Sequence, residues 1–165
     1  MLGIFLYLFK LLGKIMDVLG TTINLEDWPK ALGITKHGYW AQFDGNQTKR
    51  LLDNLDLLRD MLRQDRNVYD NEVVKIILLA MEEFQKVRKA CFGIYLDLAY
   101  VTHIQEFAYH YCCLVNMLKD IDSLTFNVTL KVHILFCHVT QFLERQNEAK
   151  VKDDVNWIPK GLGYW

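Results

Sequence analysis

The chain has little that breaks a helix. Only two of its 165 residues are proline, Pro29 and Pro159, so the stretch between them carries no residue that both removes a backbone donor and clashes with the preceding turn. Charge of one sign is also missing: 19 basic residues stand against 20 acidic ones, a net charge of −1. Proteins that grip nucleic acid through its phosphates concentrate positive charge on one face. Here Lys86, Arg88 and Lys89 sit beside Glu82 and Glu83, and Lys49 and Arg50 beside Asp53 and Asp56. Each basic run is matched locally, so nucleic acid is not an expected partner. A glycine-rich phosphate loop, a nucleophile elbow and paired metal-binding carboxylate motifs are absent as well. Enzymatic activity and a cofactor are therefore not expected.

Long apolar runs are lacking too. The longest at the N-terminus, Met1–Phe9, stops at Lys10, well short of the about 20 residues that span a bilayer. A secretory signal would need a positive segment ahead of this run, and none precedes it, although Val18-Leu19-Gly20 could serve as a cleavage site. The two sequons, at Asn46 and Asn127, matter only in a secreted chain. The alternative reading that these features leave open is a secreted or membrane-active effector using the apolar first helix, with peripheral membrane contact as its milder form. The leading reading is a first helix buried against its neighbours. The four cysteines, Cys91, Cys112, Cys113 and Cys137, lie in apolar helical runs without the loop spacing of a disulfide scaffold. They read as buried free thiols in a reducing intracellular compartment, nucleus or cytoplasm.

What the chain has in abundance is apolar surface, 52% hydrophobic and 13% aromatic residues. That excludes disorder and exceeds what a single domain of this size usually buries, which leaves apolar surface for a partner. Residues 1–165 read as one all-α domain, an antiparallel bundle of about five long helices with an aromatic-rich loop near the N-terminus. The first helix is expected over about residues 2–19, stopped by Gly20. Residues 21–44 come next as a loop with a short helical turn at 25–29, its Trp28, Tyr39, Trp40 and Phe43 laid back over the core. Leu51, Leu52, Leu55, Leu58, Met61 and Leu62 share one face of a second long helix that begins near Asn46 or Thr48. Residues 65–69 connect it to a third, capped by Asp70, that Gly93 closes. A fourth runs from Asp97 to about Lys119, with Leu98 and Phe107 among its inward residues. The last long helix spans about residues 129–148 with Phe142 inward, and 151–165 form an extended tail. Glu82 and Glu83 fall where a solvated helix face is expected.

One constellation has metal-ligand geometry. His110 and Cys113 are three apart, and His133 and Cys137 four apart, so each pair shares a helix face. Were those helices adjacent, two nitrogens and two sulfurs could converge as a tetrahedral zinc site, with His103 as a substitute on the same stripe. Without paired Cys-x-x-Cys loops the plain reading is four core residues, and no metal is expected. For partner binding, Phe5, Leu8 and Leu12 on the first helix and Trp28 and Trp40 in the aromatic loop are the candidate contacts.

Several strings also recur together in a known setting. Phe43-Asp44-Gly45-Asn46-Gln47 with Lys49-Arg50-Leu51-Leu52 close behind, then Val87 through Gly93, then Lys131-Val132-His133-Ile134 with His138 and Phe142, and finally Gly161-Leu162-Gly163 resemble, in order and spacing, a segment of transposase-like proteins encoded by transposons of invertebrate genomes. The resemblance implies a helical region cut free of its catalytic parts, because Trp165 precedes the acidic motif found further along in such proteins and Leu130 replaces their usual proline. No catalytic residue carries over. The expected function is a non-enzymatic helical protein-interaction module of transposon origin, with an unidentified protein partner or a second copy of itself.

Overall fold

The computed structural model describes residues 2–35, 43–92, 97–119, 130–139 and 141–145. Every regular element among them is helical: α1 (Leu2–Leu19), α2 (Asp27–Ala31), α3 (Gly45–Leu52), α4 (Leu55–Leu62), α5 (Arg66–Tyr69), α6 (Glu72–Phe92), α7 (Tyr100–Leu118) and α8 (Leu130–Ile134), which runs into a π-helical turn at Leu135–Val139. The all-α class is as expected. The expected set of about five long helices is matched loosely: among the described residues three are long, α1, α6 and α7, and the others are short.

α1 forms because apolar residues recur on two adjoining stripes, and Ile4, Phe5, Leu8, Leu11, Leu12, Ile15 and Met16 are all buried. It ends where expected, at Gly20, whose φ of 65° places it in the left-handed region open to glycine. The helix packs against α6, α3, α5 and α8. Trp28 on α2 covers its middle, with ring centroids 6.4 Å from Phe5 and 5.8 Å from Phe9. Phe43 closes the same patch 6.0 Å from Phe9. Tyr39 and Trp40 lie outside the described residues.

The second helix is divided in two, and tertiary contacts account for the division. Asp44 opens α3 with a capping box, its carboxylate accepting from the Gln47 amide and the Gln47 side chain accepting from the Asp44 amide. At the other end the Leu52 carbonyl accepts from Gln85 Nε2 at 2.7 Å and the Asn54 carbonyl accepts from Trp28 Nε1 at 3.3 Å. Two carbonyls thus take side-chain donors from α6 and α2, and Asn54 leaves helical geometry at φ −125° and ψ 38°. The apolar spacing continues across the break, so Leu51, Leu52, Leu55, Leu58 and Leu62 remain on the core. The expected connection at 65–69 is itself a helical turn, α5, capped by Asp65. Asn71 rather than Asp70 caps α6, its Oδ1 accepting from the amides of Val73 and Val74.

α6 and α7 form the central pair. Phe84 meets Phe107 at 5.4 Å between ring centroids, while Tyr100 lies beside Cys91, so the two helices run antiparallel. Asp97 shapes the turn ahead of α7 by accepting from the Ala99 amide, while the N-cap residue itself, Ala99, makes no side-chain cap. Leu98, expected inward, is 89% exposed, because this turn precedes the helix proper. Phe136 on the π turn completes the cluster, 5.7 Å from Phe107. Val132, Leu135 and Leu143 are buried as expected, whereas Phe142 is 50% exposed. The insertion of a π turn between residues 135 and 139 adds a residue to the helical repeat and rotates the chain beyond it, and that displaces Phe142 from the face its spacing assigns. The remaining residues of the expected last helix and the tail at 151–165 lie outside the described residues. Among the described residues no helix is long and apolar enough to cross a membrane.

Candidate functional site

The expected contact residues of α1 are interior. Phe5, Leu8 and Leu12 have no exposed surface and Trp28 is 2% exposed, so all four build the core and offer no free face to a partner. Trp40 lies outside the described residues.

The four candidate zinc ligands, His110, Cys113, His133 and Cys137, do not converge. His133 Nδ1 and Cys137 Sγ do meet across one helical turn at 3.6 Å, but on an exposed surface. His110 instead sits with Nδ1 3.0 Å from the Glu106 carbonyl of its own helix. Among the described residues, one group of three metal-ligating side chains comes together, and it is a different one: Glu83 on α6 with His103 and Glu106 on α7, one ligating atom of each lying within 4.8 Å of the others.

That group is built by the central helix pair. Glu83 stands three residues after Ala80 and four before Val87, which carries it onto the inward face of α6. It is 7% exposed, contrary to the solvated face expected for it. Its Oε1 accepts from Lys86 Nζ at 2.8 Å. Its Oε2 is buried with no hydrogen-bond donor, and so is Nδ1 of His103. An unpartnered buried polar atom costs about 1–3 kcal/mol, so the cluster is a point of stored cost inside the best-packed helix pair. Lys86 has its pKa raised, first by the hydrogen bond to Glu83 and then, after the opposing effect of burial, by the charges of Glu83, Glu106 and Glu82. Glu82, next in sequence, belongs to a separate pair: it is bound by Arg59 of α4, and burial raises its pKa more than Arg59 lowers it. Arg88 of α6 likewise binds Asp53 at the end of α3, whereas Lys75 and Lys86 pair within α6, with Glu72 and Glu83.

The signal for Glu83 was available in the three- and four-residue steps around it, and that for His103 and Glu106 in their three-residue separation. What hid the site is that charged residues on an amphipathic helix ordinarily mark its wet side.

The thiols divide by burial. Cys91 is buried in the α6 core, and loss of water pushes its thiol up to about 12. Cys112 and Cys137 are exposed and Cys113 half-buried, which corrects the expectation that all four are interior. Because the thiolate is the reactive form, a disulfide reagent at neutral pH should modify Cys112 and Cys137 first, Cys113 more slowly and Cys91 only after unfolding. Mass spectrometry of partially labelled native protein checks the order. Early labelling of Cys91 would contradict the burial.

The outward side of α7 is the second notable surface. Tyr109, Cys113 and Asn116 succeed each other at four- and three-residue steps on the side opposite the buried stripe of Ile104, Phe107, Tyr111, Leu114 and Leu118. Tyr109 is 66% exposed and Met117, at its edge, 38%. Comparison of the chain with protein-family models, with curated proteins and with solved structures returns no match.

Proposed function

We propose that this chain is a non-catalytic helical protein-interaction module, derived from a transposon-encoded protein, and that it meets its partner through the outward side of α7. The observation that supports the reading is the apolar exposure there. A tyrosine two-thirds exposed on a helix whose other side is fully packed, next to a methionine and two thiols, has the amphipathic, adaptable character of an interface centre. The occupant we favour is a second copy of the chain, because a net charge of −1 gives two copies little mutual repulsion to overcome. The exposed free thiols suit a reducing compartment, which supports a nuclear or cytoplasmic reading. The alternative, a secreted or membrane-active effector, requires α1 to leave the core, since the apolar residues it would use are those packed against Trp28 and α6.

Size-exclusion chromatography with light scattering tests the reading. The full chain should run as a dimer at micromolar concentration, and Tyr109→Glu should return it to a folded monomer, shown by an unchanged circular dichroism spectrum, whose melting temperature no longer depends on concentration. A wild-type monomer at all concentrations, or a folded Tyr109→Glu protein that still dimerises, would remove this face as a self-association surface.

A further inference from the structure

We infer that Glu83, His103 and Glu106 form a binding site for one divalent transition-metal ion of the zinc class, which ties α6 to α7. The geometry comes first. One ligating atom from each side chain lies within 4.8 Å of the other two, a separation that small side-chain rotations close to the spacing of ligands around a single ion. His103 and Glu106 are three residues apart, so one face of α7 presents both toward α6.

Burial is an independent observation. Glu83 is more than nine-tenths buried, and its Oε2 has no donor. His103 Nδ1 is also buried without a partner among the described residues, and it offers a lone pair whenever the ring proton is on Nε2. A carboxylate oxygen and an imidazole nitrogen, each buried and unsatisfied on members of one such group, share one complement, a cation. Lys86 does not supply it. Its ammonium engages the other oxygen, Oε1, from a half-exposed position that it can leave for solvent.

The donor set selects the class of ion. Two carboxylates neutralise a divalent charge, and one imidazole favours zinc and its late first-row neighbours over calcium and magnesium, which take all-oxygen shells. The absence of a thiolate from the group disfavours copper(I). Three protein ligands with Glu106 on the exposed side leave a position for water. The site is separate from the exposed His133–Cys137 pair and goes beyond the interaction reading, so either can fail without the other.

The test uses the full 165-residue chain stripped with chelator, titrated calorimetrically with zinc chloride and then with cobalt chloride monitored by absorption. One equivalent of zinc should bind, magnesium should not compete, and the cobalt spectrum should lack thiolate-to-metal charge transfer. His103→Gln and Glu106→Gln should each weaken zinc binding by at least about tenfold, whereas the double variant His133→Ala, Cys137→Ser should retain it. Glu106 is exposed, so Glu106→Gln reports on the metal even if Glu83→Gln fails to fold. The inference is overturned by absence of zinc binding, by unchanged affinity in both His103→Gln and Glu106→Gln, by loss of binding in the His133/Cys137 double variant, or by a thiolate band.

Discussion

Phe107→Ala should lower the stability of the domain by about 3–5 kcal/mol and its melting temperature by about 6–20 °C, given about 2–4 °C per kcal/mol for a domain of this length. Phe107 has no exposed surface. Its ring meets Phe84 at 5.4 Å, Tyr111 at 5.7 Å and Phe136 at 5.7 Å between centroids, the pairs with Tyr111 and Phe136 edge-on. These neighbours come from α6, from α7 itself and from the π turn, so a single side chain joins three elements. Edge-on and offset pairs add about 0.5–1.5 kcal/mol each beyond the area they bury, which argues for the upper part of the range. Phe136 is only partly buried and can relax into the vacated space, which argues against a larger loss. Urea denaturation monitored by circular dichroism measures the change, with Val18→Ala at a 70% exposed position of α1 as the control. A loss below about 1 kcal/mol for Phe107→Ala would mean that α6, α7 and the π turn are not joined through this ring.

Local chemistry made the long helices legible and tertiary contacts made the remainder illegible. α1 is bounded by its own apolar run and by Gly20, both visible in the chain. The same holds for α6 and α7, where wide apolar stripes and the cap and turn chemistry of Asn71 and Asp97 lie within a few residues of the ends. The break between α3 and α4 has no such signal. Nothing between Lys49 and Leu62 is a helix breaker, and the interruption comes from Gln85 and Trp28, distant in sequence, donating to carbonyls that a continuous helix would use itself. The candidate metal group was half visible. The zinc reading took His110, Cys113, His133 and Cys137 and named His103 as a substitute, but it did not include the carboxylates Glu83 and Glu106 that stand with His103. Helix spacing determines which residues share a face, whereas the neighbour of that face is a property of the whole packing arrangement. Phe142 shows the same limit, since its exposure arises from a π turn that no residue in the segment announces.

Leu12→Asp should abolish the cooperative unfolding transition at 25 °C, while Val18→Asp, six residues along the same helix, should leave stability within about 0.5 kcal/mol. Leu12 has no exposed surface and Val18 is 70% exposed. The first change forfeits about 1.5–3 kcal/mol of apolar burial and places a polar group without a partner among apolar side chains, at a further cost of about 2–7 kcal/mol. Together these amount to about 3.5–10 kcal/mol, comparable with the margin of a typical domain, about 5–15 kcal/mol. Protonation of the new carboxyl lessens the cost without removing it, because the neutral acid still lacks a partner. The contrast bears directly on function. If α1 were a detachable arm for a membrane or a partner, polar residues at Phe5, Leu8 or Leu12 would weaken binding and spare the fold. If it is the buried wall of the bundle, the fold is lost first and any binding defect is a consequence of that loss. Thermal melts of the Leu12→Asp and Val18→Asp proteins decide between the two. A Leu12→Asp protein that melts cooperatively near the wild-type temperature would show that α1 is dispensable to the core and would return the membrane-active reading to the front.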